Sequence, residues 1–532
     1  MPSLSSADHS TSPPRLHIPR DYNAAFDLVE RNLAAGRANK RAFVDDAGEV
    51  TYGELAERVN RAANALTALG LCMEDRIVLA HLDTIDFVAV FLGAIKAGIV
   101  PVAVNTLLTT ADYEYMLADS RAKALVVSEA LMPVFSPLLD AEPARLPFLR
   151  HVLVSGQSGH RHRHLGEAME KAAAKFDAAP TTSDDVCFWL YSSGSTGAPK
   201  GTLHLHSHLI QTAELYAVPV LGLRESDVVF SAAKLFFAYG LGNALTFPMA
   251  VGATTILMAE RPTPAAVFKR LQHGGSKPTV FYGVPTLFAA LLASPELPGK
   301  ADLALRVCTS AGEALPADIG KRWTERFGVE ILDGIGSTEM LHIFLSNRPG
   351  EVRYGTTGKA VPGYDLRLVD ETGAIMQGSG QIGELQISGP SSASCYWNNR
   401  GKSRATFIGE WTRSGDKYTL DTDGYYTYAG RTDDMLKVGG IYVSPFEVEG
   451  ALSTHAAVLE AAVIGVADEA QLIKPKAYVV LKPGQSVTEE ALKAHVKSRL
   501  APFKYPRSIE FVTELPKTAT GKIQRFKLRA RS

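Results

Sequence analysis

The chain has 532 residues, 46% of them apolar and 21% charged, with a formal net charge of −1. A length of this order divides into roughly three to four folding units with ample core material, and the neutral balance gives no electrostatic reason to expect nucleic acid or an anionic membrane as the main partner. The four cysteines, Cys72, Cys187, Cys308 and Cys395, are far apart and form no CxxC pair, which argues against a disulfide framework or a zinc site and for a reducing cytoplasm.

The first 16 residues are Ser/Pro-rich and lack an apolar run; they read as a flexible leader, not a signal peptide. From residue 50 helical and strand patterns alternate. Thr51 and Glu54 form a capping box ahead of Leu55, Val59 and Ala63 at helical spacing. A strand follows at Arg76–Ala80, then a helix over Phe87–Ala97, then strands at Val100–Val104, Ala124–Val127 and Val152–Val154. Such alternation predicts layered α/β structure with mostly parallel sheet. The apolar stretches Phe87–Val104 and Leu241–Ala259 are interrupted by Lys96, Gly98 and Pro101, and by Asn243, Pro248 and Gly252. A membrane-spanning helix needs about 20 unbroken apolar residues, so no anchor is expected.

Between Gly355 and Tyr428, Gly-rich turns separate short alternating strands such as Asp365–Val369 and Gly383–Ile387, the pattern of an antiparallel barrel or sandwich. A last unit opens near Asp434, with a helix from Pro445, strands at Ala461–Ile464 and Ala477–Val480, and a helix bearing Leu492, Val496 and Leu500 on one face. Residues 434–532 carry 15 Lys/Arg against 10 Asp/Glu, a net +5 that leaves −6 for the rest. A small basic lid over a larger acidic body suits polyphosphate ligands.

Most of the chemistry lies in a few short strings. Phe188–Tyr191 reads as a strand entering Ser192-Ser193-Gly194-Ser195-Thr196-Gly197-Ala198-Pro199-Lys200-Gly201. Glycines let main-chain N–H groups point inward, the hydroxyls add donors and Lys200 adds charge, which makes an anion cradle for phosphates. It is not a Walker A loop, because Pro199 precedes Lys200 and Gly201 follows it. Nor is it a GxSxG elbow, because Ser195 directly follows Gly194. Asp416 is a fixed acceptor and Arg431 a planar donor fork. Glu339 is a hard oxygen ligand, beside the hydroxyl donor Thr338. His160, His162 and His164 read as a solvated loop. His204, His206 and His208 would share one face of a strand, and with no fourth ligand they are expected to pack near the nucleotide, not to bind zinc.

The 191–201 string resembles the phosphate-loop signature of the adenylate-forming superfamily, which comprises acyl-CoA synthetases, peptide-synthetase adenylation domains and luciferases. Five more strings follow in the family's order. Thr309-Ser310-Ala311-Gly312-Glu313 resembles the loop around adenine, and Asp333-Gly334-Ile335-Gly336-Ser337-Thr338-Glu339 the nucleotide and metal motif. Thr412–Asp416 resembles the ribose segment, with Thr412 where the family often has Tyr. Gly430–Lys437 resembles the interdomain hinge and Pro516–Lys522 the C-terminal catalytic loop. Each string alone is weak; six in order carry the identification.

The resemblance implies a large N-terminal body, residues 17–432, of layered α/β subdomains to about 354 and a small β-barrel over 355–428. A small, mobile α+β C-terminal domain then spans 433–532. It also implies two half-reactions, with ATP, Mg²⁺ and coenzyme A as cofactor and co-substrates. Adenylation needs no general base, since a carboxylate is already nucleophilic; it needs relief of repulsion between that carboxylate and the α-phosphate. Lys522 is implied as the ammonium that supplies it. The C-terminal domain then rotates about Asp433, bringing Lys437, Gly439 and Gly440 beside the coenzyme A channel.

The segments Leu235–Asn243 and Gly336–Phe344 should line the acyl pocket, with Phe236, Ala238, Tyr239, Gly336, His342 and Ile343 as its walls. Both closely resemble those of bacterial benzoate–CoA ligases, which implies a short, flat, apolar slot for benzoate. Neither segment is expected to offer an acidic or amide partner for a ring hydroxyl or amine. The alternatives are another small aryl or cyclic acid (hydroxybenzoate, aminobenzoate, cyclohexanecarboxylate) or a stand-alone adenylation enzyme that loads a carrier protein. The expected partners are small molecules only, with the chain a monomer or homodimer.

Lys522→Ala is expected to abolish acid-dependent ATP–diphosphate exchange while a supplied acyl-adenylate still yields thioester; normal exchange in the variant contradicts the role.

Overall fold

The computed structural model describes residues 2–141, 145–156, 161–192, 198–272, 277–432, 434–438, 441–468, 473–500, 504–517 and 523–531. Two sheets organise the body. An eight-stranded sheet runs in the order 395–396, 200–205, 186–192, 100–103, 76–80, 124–128, 151–155, 163–164. It is parallel except where Lys200–Leu205 pairs with Val186–Ser192 and with Cys395–Tyr396. A nine-stranded sheet runs 359–360, 343–346, 331–336, 307–310, 280–283, 228–231, 254–256, 41–45, 48–51, with antiparallel strands only at its two edges.

Helices fill the space between the sheets and cover their outer faces. The helix Tyr52–Thr67 starts at the expected capping box, with the Thr51 hydroxyl receiving Glu54 N–H and Glu54 receiving Thr51 N–H at 2.7 Å. In the next helix, Ile85–Lys96, every residue but Asp86 is buried. An all-round apolar helix must be enclosed on all sides, and this one belongs to the central cluster that draws side chains from both sheets. Its one buried cation, Lys96, donates to Asn60 Oδ1 at 2.7 Å. Two further clusters cover the opposite faces of the sheets, giving helix–sheet–helix–sheet–helix layers. No helix among the described residues is long and apolar enough to cross a membrane.

Three expectations need correction. The leader is not flexible: Ser6–Asp8 pairs with Arg15–His17 in an antiparallel hairpin. Its polar side chains satisfy buried acids, with Ser5 Oγ donating to Asp27 at 2.6 Å and His9 Nε2 lying 2.8 Å from Glu214. Residues 365–431 form an open antiparallel sheet, since among the described residues its ladder does not close into a barrel. The histidine triplet does not share a strand, because the strand ends at Leu205 and a helix begins at His206.

The C-terminal unit is a three-stranded sheet (458–467, 473–481, 508–511) with apolar clusters on both faces. Its helix Glu489–Lys497 stops short of Leu500, which still packs on the core. Arg525 pairs with Glu449 at 2.7 Å, and Arg529 with Asp434 at 3.0 Å.

His206 is buried, accepts the Ala24 N–H at 3.0 Å on Nδ1, and is pushed by burial down to about 4. Between that value and its ordinary 6.5 the unfolded chain binds more protons than the native one. Stability is therefore fully present above 6.5 and is lost as pH falls toward 4. His206→Asn, which keeps an acceptor but does not titrate, should flatten the fall of unfolding free energy over that window by up to about 1.4 kcal/mol per pH unit. An unchanged slope contradicts this.

Candidate active site

The strand Val186–Ser192 and the strand Lys200–Leu205 are antiparallel neighbours, with Ser192 opposite Lys200 and Tyr191 opposite Gly201. The phosphate-loop string is thus flanked by two paired strands. Ser193, Gly194, Ser195, Thr196 and Gly197 lie outside the described residues. Ser192 is buried and its hydroxyl has no partner. Lys200 Nζ stands 4.6 Å from the Tyr396 ring centre. Burial lowers the Lys200 pKa, Glu339 opposes that, and Lys402 and Arg431 add to it. Gly201 serves packing: a Cβ there would meet the Trp189 ring at 3.2 Å and Trp397 at 3.4 Å.

Thr338 and Glu339 sit on a turn held by its main chain. The Thr338 carbonyl accepts from His204 Nε2 at 2.8 Å, the Glu339 carbonyl from Ala393 N–H at 2.7 Å, and the Met340 carbonyl from Ser391 Oγ at 2.8 Å. The turn closes through Leu341 at φ 65, a left-handed conformation uncommon for a residue with a side chain. The Tyr396 hydroxyl donates to Glu339 Oε1 at 2.7 Å. His204 is fully buried, and burial pushes it down to about 4, so it is neutral with its proton on Nε2. Ser391, Ala393 and Tyr396 were not singled out from sequence, and only the fold brings them, with His204, to this turn.

The pairing of strands Trp411–Leu420 and Tyr426–Arg431 sets Asp416 opposite Arg431, and Arg431 Nη1 donates to Asp416 Oδ1 at 3.2 Å. Gly415 is at φ 72, and a Cβ there would stand 3.1 Å from Arg431 Nη2. Ala311, Gly312 and Glu313 follow the strand Val307–Ser310, with Ala311 buried and Gly312 at φ 97. Asp333 ends its parallel pairing opposite Ser310 and is buried. Burial drives its carboxyl well above the usual range, although the N–H groups of Leu315 and Gly334 oppose this. Oδ1 accepts from Leu315 N–H at 3.2 Å, so this side chain braces the loop that follows Ser310.

The proposed acyl walls do meet. His342 is buried, donates from Nε2 to the Tyr239 carbonyl at 3.2 Å, and is pushed by burial down to about 3. Its ring lies 4.4 Å from Phe247, 5.5 Å from Tyr216 and 5.7 Å from Tyr239, centre to centre. Ile343 is buried, Phe236 packs on Phe237 at 4.4 Å, and Ala238 opens the short helix Ala238–Leu241. This segment is anchored by Asp83, which accepts Leu235 N–H at 3.2 Å and is raised to about 6 by burial. Gly334 and Ile335 continue the strand Ile331–Gly336, where a Cβ on Gly334 would meet Ile343 at 3.2 Å. A Cβ on Gly336 would come within 2.5 Å of the His342 carbonyl oxygen. Neither Tyr216 nor Phe247 was singled out from sequence: Tyr216 is distant along the chain and Phe247 lies just beyond the first segment. Asn243, the last residue of that segment, is fully buried in this layer.

In the C-terminal unit, Lys437 lies on the strand Leu436–Val438, opposite Tyr442. The Lys437 side chain, Asp433, Gly439, Gly440 and Lys522 lie outside the described residues. Lys517 and Ile523 pair across a bridge, and Lys517 Nζ meets Glu460 at 2.6 Å.

The described parts of the candidate site are the two strands flanking the phosphate-loop string, a carboxylate-bearing turn tied to one of them, an Asp/Arg pair and a buried aromatic cluster. The chain belongs to the AMP-binding enzyme family, whose profile matches residues 30–397, followed by the AMP-binding enzyme C-terminal domain over 447–522. It is 65% identical over 534 residues to a benzoate–CoA ligase of Thauera aromatica, covering 100% of both chains. It is 50% identical to a 4-hydroxybenzoate–CoA/benzoate–CoA ligase of Rhodopseudomonas palustris, covering 96% of this chain and 94% of that one. The crystal structure of a benzoate CoA ligase from Burkholderia xenovorans LB400 superposes with a TM-score of 0.89 at 57% identity, covering 96% of this chain and 100% of that one.

Gly336→Ala is expected to cut acid-dependent ATP–diphosphate exchange by about 100-fold, the scale of a 1 Å misplacement, while the protein still folds. Exchange within threefold of wild type contradicts this.

Proposed function

We propose that the chain is an ATP-dependent benzoate–CoA ligase. The observation that carries this reading is the end-to-end match to benzoate–CoA ligases, supported by the buried aromatic cluster of Tyr239, His342, Tyr216 and Phe247. A flat apolar slot beside these rings would admit a single ring and leave its carboxylate to the nucleotide.

In the first step a benzoate oxygen attacks the α-phosphorus of ATP, the bond to the β-phosphate breaks, and diphosphate leaves. In the second the sulfur of coenzyme A attacks the carbonyl of the benzoyl-adenylate and AMP departs, giving benzoyl-CoA. Lys522 is assigned to relieve the repulsion of the first step, Lys437 with Gly439 and Gly440 to the thioester step, and Asp433 to the hinge between them. Thr338 is assigned to the α-phosphate, Asp416 and Arg431 to the ribose, and Ala311 to Glu313 with Asp333 to the adenine side. The mutual influence of Lys200, Lys402 and Arg431 around Glu339 supports an anion site there.

Glu339 fits Mg²⁺, a hard cation that takes one or two carboxylates plus phosphate oxygens and water. Its carboxylate lies beside Lys200 and the phosphate-loop strands, and among the described residues no cluster of His, Cys, Asp or Glu forms an all-protein cage. The ion supplies charge neutralisation on the phosphates. A cytoplasmic setting goes with this reading, since ATP, coenzyme A and four free cysteines are all at home there.

The test is turnover with benzoate, ATP and coenzyme A. Equimolar benzoyl-CoA and AMP are expected, with kcat/KM for benzoate above that for hexanoate and for 4-hydroxybenzoate. The opposite order overturns the assignment.

A further inference from the structure

The helix Thr110–Ser120 opens at a capping box of Thr109 and Asp112 and buries Tyr113, Met116 and Leu117. Those three side chains pack in the apolar cluster that holds Val102 and Trp189, and the Tyr113 hydroxyl donates to the Asn105 carbonyl at 2.8 Å. This face docks the helix on the eight-stranded sheet. Tyr115 and Asp119 lie off it, one turn apart, and side chains at that spacing are neighbours on the helix surface.

Each of the two reaches a different strand of the phosphate hairpin. Asp119 Oδ2 accepts the Tyr191 hydroxyl at 2.7 Å, and the Tyr115 hydroxyl donates to the Pro199 carbonyl at 3.0 Å. Tyr191 immediately precedes Ser192 and Pro199 immediately precedes Lys200, and Ser192 and Lys200 form the last pair of the ladder between the strands. Pro199 lies beyond that ladder, where strand pairing no longer fixes the main chain. Trp397 ties the second strand back to the same helix. Its N–H donates to the Gly201 carbonyl at 2.8 Å, and its indole Nε1 donates to the Asp119 carbonyl at 2.9 Å. One turn of helix therefore grips both strands where they enter and leave the phosphate-loop string.

We propose that Tyr115 and Asp119 are positioning residues for the nucleotide: through Pro199 and Tyr191 they fix where Lys200 and Ser192 stand toward the phosphates of ATP. A shift of the Pro199 peptide moves the start of the Lys200 side chain, whose ammonium stands 4.6 Å from the ring of Tyr396, the residue that holds Glu339. Displacements on the scale of an ångström weaken such an arrangement, even when they begin at a residue that does not touch the reacting atoms. The Tyr115 side chain is exposed, so its ring adds little to packing and its contribution is the bond of its hydroxyl. The inference rests on the reading above of residues 191–201 as the phosphate site.

The test measures KM for ATP and KM for benzoate in acid-dependent ATP–diphosphate exchange with wild type, Tyr115→Phe, Asp119→Ala and Asp119→Asn. Tyr115→Phe removes one hydroxyl from an exposed side chain and should raise KM for ATP about threefold. Asp119→Ala leaves the Tyr191 hydroxyl without its acceptor and should raise it about tenfold. Asp119→Asn keeps an oxygen acceptor and should return it to within about twofold of wild type. In all three, KM for benzoate should stay within about twofold, the split that separates lost nucleotide positioning from general loosening of the fold. If the alanine variant fails to fold, Tyr115→Phe decides the matter. An unchanged KM for ATP in Tyr115→Phe, an equal rise for benzoate, or an asparagine variant as impaired as the alanine one overturns the proposal. A wild type without acid-dependent exchange would instead refute the parent reading.

Discussion

Three successive carbonyls, those of Thr338, Glu339 and Met340, are each bound by a donor from a distant part of the chain. That constraint underlies the whole site. A turn whose main chain is already satisfied cannot relax when charge arrives, so the Thr338 hydroxyl and the Glu339 carboxylate are presented in one arrangement. The donors also stitch the body together. His204 closes the strand of the phosphate hairpin, while Ser391 and Ala393 lead into Cys395–Tyr396 at the edge of the same sheet. The turn itself continues the nine-stranded sheet. Both sheets therefore meet at this turn.

The electrostatics divide along the same line. Inside the layers, burial keeps groups neutral: His204, His206 and His342 are held far below the ordinary imidazole value, and Asp333 well above the ordinary carboxyl value. These groups act as fixed donors and acceptors near neutral pH. At the opening, Lys200, Lys402 and Arg431 feel one another around Glu339. Neutral buried imidazoles against a cationic mouth suit an acid whose ring is buried and whose carboxylate faces a polyphosphate. The amino-terminal hairpin adds to this frame, because Glu214, which holds His9 and Arg31, lies in the same π-helical turn as Tyr216.

The strands and helices of the body could be read in advance because their apolar periodicity is unbroken, as in Arg76–Ala80 and Ile85–Lys96. The leader was misread because Ser/Pro composition signals irregular chain. Its order comes from acids such as Asp27 and Glu214 that lie elsewhere and need donors. The histidines were misread because periodicity alone cannot place the end of a strand one residue before His206.

By itself the sequence determined the chemistry class, because phosphate cradling, ribose recognition and metal binding each require particular residue types in short contiguous strings. It also determined the layered α/β plan. Only tertiary structure decided which atoms are satisfied. That His204 braces Thr338 and that Tyr396 holds Glu339 follow from contacts between residues far apart in the chain. A hydrogen bond between such residues is a property of position in space, and local sequence carries no record of it.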